Sequence, residues 1–233
     1  MTRKLQLLTA LLAFGVLLIG LSGCGENTTE PDSDNEITEP PQLNVTDRVP
    51  DGLQSNSPQA WAAVTSMLSQ VEIGQSMYSS IYTTAAQAGG EFSMTVQGIT
   101  ATYLAEPETR NGVEGTAWSL TYDGQFTDAD TSITFNDATV FSGWTANNGD
   151  QGQFTYDYDV YADVQGDGSG DQYLYEVNWS VDDQETITVH SSIMDEGEET
   201  EQTLIVNEDG SGEYSHAGET MYQWNSEGEL INN

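Results

Sequence analysis

Basic residues are almost missing from this 233-residue chain: four Lys and Arg stand against 38 Asp and Glu. Two of the four, Arg3 and Lys4, come at the start. Beyond residue 23 only Arg48 and Arg110 face all 38 carboxylates, a formal charge of −36. With so little to neutralise phosphates, nucleic acid is excluded as a partner. Cysteine occurs once, at Cys24, so no disulfide can form within the chain. Histidine is limited to His190, in a strand pattern beside Thr188, and His216, near a turn. Neither a His-x-x-x-His nor a His-Glu-x-x-His pattern occurs, and there is no Gly-x-Ser-x-Gly elbow. No catalytic residue and no cofactor are therefore assigned, and the chain reads as a non-enzyme.

One long apolar run exists, Leu5 to Leu21, interrupted only by Gln6 and Thr9. With Arg3 and Lys4 ahead of it and small residues behind, it has the three parts of a signal peptide. A membrane-spanning helix needs about 20 apolar residues, and Gly25-Glu26-Asn27 stops this run short. Leu21-Ser22-Gly23-Cys24 resembles the lipobox of bacterial lipoproteins. That resemblance implies cleavage before Cys24, two or three acyl chains on its sulfur and amine, and attachment to the cell envelope. Each buried CH₂ contributes about 0.8 kcal/mol, and stable anchoring takes at least two chains. The expected site is the outer membrane, with the protein facing the periplasm or the surface. An acylated Cys24 also leaves no thiol for catalysis or zinc. The acidic, lysine-free composition resembles that of halophile proteins, whose self-repulsion is screened by salt. Disorder is excluded by five Trp, eleven Tyr and six Phe in regular patterns.

Three segments follow from composition: a signal peptide over 1–23, an acylated and acidic tether over 24–56, and one domain over 57–233. Pro31, Pro40, Pro41 and Pro50 break regular structure in the tether, and its carboxylates keep it solvated. A helix is predicted over 57–88, with Ser57 as N-cap and Pro58 at the first helical position. Trp61, Val64, Leu68, Val71, Tyr78 and Tyr82 form one stripe at the 3.6-residue period. Gly74 is expected to kink or divide the helix, and Gly89-Gly90 to end it. From Gly52 to Gly90 the one ionisable side chain other than tyrosine is Glu72. So neutral a helix is expected to be shielded on more than one side, by a curved sheet or by a partner.

From Glu91 onward the period becomes two, as in Phe92-Met94-Val96, Trp118-Leu120-Tyr122, Phe154-Tyr156-Tyr158 and Tyr175-Val177-Trp179. Asp123-Gly124, Asn148-Gly149, Asp167-Gly168 and Asp209-Gly210 are read as hairpin turns. The fold class is α+β: an N-terminal amphipathic helix on a curved, mostly antiparallel meander or open β-barrel of nine or ten strands. In layout this resembles the periplasmic lipoprotein carriers, in which an open barrel covers a helix and binds lipid. A weak echo links Asn148-Gly149-Asp150-Gln151-Gly152, Asp167-Gly168-Ser169-Gly170-Asp171 and Asp209-Gly210-Ser211-Gly212-Glu213, while Trp118, Trp144, Trp179 and Trp224 recur at unequal intervals.

Candidate sites are few. Asp163, Asp167 and Asp171 sit near calcium-loop spacing, without the closing glutamate. The helix face Trp61, Val64, Leu68, Tyr78 and Tyr82 is the candidate surface for an apolar or acyl ligand. Tyr156, Tyr158, Tyr173, Tyr175 and Trp179 offer a sugar-stacking platform or simply core. The leading expectation is a non-catalytic envelope lipoprotein with a protein or small-molecule partner. The rivals are an apolar-ligand carrier and a glycan-binding or glycan-active protein.

Overall fold

The structure, a computed structural model, describes Leu43 and residues 46–128, 131–157, 174–195 and 198–231. The signal segment, Cys24, Tyr158, Tyr173 and the calcium candidates Asp163, Asp167 and Asp171 lie outside these.

After a 3-10 turn, Thr46–Arg48, come α1 (Asp51–Asn56) and α2 (Pro58–Ala86). Ten strands follow among the described residues: β1 (Glu91–Val96), β2 (Ile99–Arg110), β3 (Val113–Asp128), β4 (Thr131–Ala146), β5 (Gln151–Asp157), β6 (Leu174–Val181), β7 (Ile187–Asp195), β8 (Glu198–Val206), β9 (Gly212–His216) and β10 (Glu219–Trp224). Each pairs antiparallel with the next, in strict chain order, so the sheet is a meander with β1 and β10 at its open edges. Among the described residues three connections are tight two-residue turns with both residues at positive φ: Gln97-Gly98, Asn111-Gly112 and Ala217-Gly218. That backbone matches the right-handed twist of the strands it joins.

Ser57 begins α2 as expected, its Oγ accepting from the Ala60 amide at 3.4 Å. Gly90 ends it by donating back to the Ala85 carbonyl at 2.8 Å. Contacts along α2 move steadily across the sheet. Met67 meets Ser191 on β7, Gly74 meets Phe154 on β5, Tyr78 meets Trp118 on β3, and Gly90 accepts from Ala105 on β2. From Met67 to Tyr78 the helix rises about 16 Å, and β7 to β3 is about 19 Å of sheet. The helix therefore runs across the strands rather than along them, which lets one element bury almost every strand.

Two expectations about this helix are narrowed. Gly74 does not divide it, since α2 is continuous from Pro58 to Ala86. A Cβ there would sit 2.0 Å from Phe154 Cε1, so the missing side chain makes room for a ring. Within the chain the sheet covers α2 on one side, and Gln59, Ala62, Ser66, Ser69, Glu72, Ile73, Ser76 and Thr83 are exposed. Backbone carbonyls rather than a covering layer bind some hydroxyls here, as in Thr65 to Trp61 and Thr84 to Ser80, both at 2.8 Å.

The segment 46–56, assigned above to the tether, is part of the fold. Leu53 is fully buried and Val49 nearly so. Arg48 pairs with Glu185 at 3.0 Å in the β6–β7 turn, and Asn56 donates to the Gly228 carbonyl near the C-terminus. Pro50 is compatible with this because it sits as the N-cap of α1, where no amide donor is needed.

The tryptophan echo has a structural cause. Trp118 lies over Gly143, Trp179 over Gly152 and Trp224 over Gly212, each glycine being the cross-strand neighbour of its tryptophan. The indole N–H groups of Trp179 and Trp224 then donate to the turn carbonyls of Gly149 and Gly210, at 3.2 and 3.0 Å. One glycine shapes the turn and the next makes room for the ring, three residues on in the first peptide (Gly149, Gly152) and two in the second (Gly210, Gly212). Asn148-Gly149 and Asp209-Gly210 are turns, as read from the sequence. Asp123-Gly124 is not: it lies inside β3, at a bulge where Gly124 has φ +114° and the Gly98 carbonyl approaches closely. The local turn preference yields there to pairing between two 16-residue strands.

Candidate functional site

Alternation divides every strand between two faces. The helix side takes Trp118, Phe154, Val177, Trp179, Val189 and Leu204, all buried. The outer side carries a row in register: Ala117, Trp144, Gln153, Asn178, His190, Thr203 and Ser215, each opposite the next. A second row runs Gln151, Ser180, Thr188. Trp144, Gln153, Asn178 and His190 of the first row and all of the second line an open groove of about 270 Å³, with Arg110 and Asn111 at one end and Gly152 and Trp179 between the rows.

The wall at that end is built with care. Trp144 is buried, but apart from the main core, because it points away from α2. Its ring packs against Gly115 of β3, and its N–H reaches the Glu108 carbonyl of β2 at 3.1 Å. The Arg110 guanidinium lies 5.5 Å from the centre of that ring. Glu108 fixes it from the side, accepting from Nε and Nη2 at 3.0 Å each. A cation over an indole contributes about 0.5–1 kcal/mol at an exposed site. The bidentate carboxylate adds direction, so Arg110 is a positioned group rather than a swinging one. At the opposite side His190 Nδ1 meets Thr203 Oγ1 at 3.1 Å, and Nε2 stands 4.0 Å from Glu201.

Two properties distinguish the lining. It contains no carboxylate, in a chain with 38 of them. Beyond residue 23 only Arg48, Arg110, His190 and His216 can carry positive charge, and two of these four are in the groove. Moreover, the side chains of Gln151, Gln153, Asn178, Ser180 and Thr188 bond to no other described residue. Elsewhere opposed polar residues join across strands, as Ser93 does with Thr102 and Thr95 with Thr100, at 2.9 and 2.8 Å.

The residues singled out from sequence fall differently. Val64, Leu68, Tyr78 and Tyr82 are core, and Trp61 is half-buried against it. Tyr156 and Trp179 are buried, and Tyr175 packs on the same cluster, so these three form no open platform. His216 is exposed on β9. Among the described residues no cluster of His, Cys, Asp and Glu is fit to hold a metal. The groove is not among the sequence expectations, although the uncharged alternate positions Gln151 and Gln153, Asn178 and Ser180, and Thr188 were a usable signal.

No family profile, curated protein or solved structure matches this chain.

Proposed function

We propose that this chain is a non-catalytic binding protein, anchored to a bacterial envelope by lipid on Cys24, and that the outer groove holds its ligand. The observation that carries the reading is the lining: amides, hydroxyls and two cation-capable groups, free of carboxylates and largely without internal partners. Ligand sites are concave and present a few convergent polar groups on a fixed scaffold. Here the scaffold is three paired strands backed by the aromatic core. We read the architecture more finely as a twisted, curved sheet with α2 seated on its inner side.

The carrier reading draws no support from the interface between helix and sheet. Phe154 fills the space beside Gly74, and Tyr78 packs 5.6 Å from both Tyr82 and Trp118. The lipid anchor rests on the sequence of residues 1–24. Replacing Cys24 by Ser should move the protein from the membrane fraction to the soluble fraction without detergent. Retention of the variant in membranes would overturn the anchor.

A further inference from the structure

We infer that the groove takes a neutral, hydroxyl-rich ligand, a single saccharide unit, an inference that rests on the groove being the ligand site. The charges decide the class. A cation finds no carboxylate in the lining; of those beside it, Glu108 is engaged by Arg110 and Glu201 stands 4.0 Å from His190 Nε2. An anion finds one permanent positive charge, already offset by Glu108, on a chain that carries −36 beyond residue 23. Salt screens the more distant carboxylates, so the local balance decides, and at the Trp144 end that balance is an ion pair without net charge. An apolar ligand finds amide and hydroxyl tips, and the two rings of the lining, Trp144 and Trp179, are both buried. A neutral hydrogen-bonding ligand is the remaining class.

The grid suits such a ligand. Gln151, Gln153, Asn178, Ser180, Thr188 and His190 stand on three adjacent strands, two per strand. Strands are about 4.8 Å apart and same-face residues about 6.7 Å apart along each strand, so the six tips cover little more than one sugar ring. Each primary amide offers two donors and an acceptor, and each hydroxyl offers both roles. Sugar hydroxyls need this mixture, since each both donates and accepts. The volume lies just below the range of small-molecule pockets, about 300–1,000 Å³, which favours one ring over an extended chain.

The test is a titration of the ¹⁵N-labelled full chain, in detergent, with chitobiose, cellobiose and maltose, and separately with digalacturonate and inorganic phosphate. The side-chain NH₂ signals of Gln151, Gln153 and Asn178 report directly on the groove. We expect at least one neutral disaccharide to shift them saturably, and the affinity to fall at least tenfold in Gln153→Glu and Asn178→Asp, which place a carboxylate in the lining. Groove shifts produced only by digalacturonate or phosphate would overturn the neutral-saccharide inference while leaving a binding groove in place. Shifts confined to residues outside the groove, or none with any probe at millimolar concentration, would overturn both. Unchanged thermal melting in the two variants separates lost binding from lost fold.

Discussion

On the helix side of β5, β6 and β7 stand Gly152, Phe154, Val177, Trp179, Val189 and Ser191; one position along, on the other side, stand Gln151, Gln153, Asn178, Ser180, Thr188 and His190. The first set is closed on itself: rings cover glycines, and α2 covers the rings. Ser191, its one hydroxyl, is fully buried and donates to Met67 Sδ. Most of the second set bonds to no other described residue. The same backbone thus carries a face that stabilises and a face that stays available, and adjacent residues should respond to mutation in opposite ways.

The largest effect on stability belongs to the inner side. Trp224 is fully buried, covers Gly212 and donates to Gly210. Trp224→Ala should lower the unfolding free energy by about 3–5 kcal/mol, measured by chemical denaturation. A loss under about 1 kcal/mol would break the view that the indoles hold this face.

Gly152→Ala sharpens the comparison, because its neighbours Gln151 and Gln153 both line the groove. The new methyl would meet Trp179 atoms at 2.0–2.6 Å, and overpacking of this kind costs about 1–3 kcal/mol. A melting temperature equal to that of the parent would contradict the ring-over-glycine packing.

A smaller effect comes with alkali. Burial raises the Tyr103 phenol above its ordinary value of 10.0, and burial followed by repulsion from Tyr222 does the same for Tyr214. Because the folded state holds these protons more tightly, their contribution is intact below about pH 10 and is lost as pH rises through the raised values. Tyr103→Phe should flatten that alkaline decline in a series of melts, and an identical decline in the variant would rule Tyr103 out as a cause.

Much of this fold can be read along the chain. Ser57-Pro58, Gly89-Gly90 and the change of period at Glu91 mark the helix and the start of the sheet. The strand count and the Asn148-Gly149 and Asp209-Gly210 turns also follow from sequence. What escaped reading depends on partners distant in sequence. Asp123-Gly124 has turn chemistry, but Gly124 sits between Ile99 and Phe135, in strands long enough to override it. Leu53 looks like one apolar residue in a polar linker until the C-terminal segment is brought beside it. The groove is legible only once register sets Trp144, Gln153, Asn178 and His190 side by side, since each looks like an ordinary solvent position in its own strand.

The central claim, that one face holds the fold and the other holds a ligand, is tested most directly by the double variant Gln153→Ala/Asn178→Ala. Its unfolding free energy and its disaccharide titration would be measured beside those of the parent. Exposed positions of this kind usually change stability by no more than about 0.5 kcal/mol. The account predicts a stability within that margin and loss of the saccharide response, followed by the Gln151 side-chain amide. A stability loss of about 2 kcal/mol, or an undiminished titration, would contradict it.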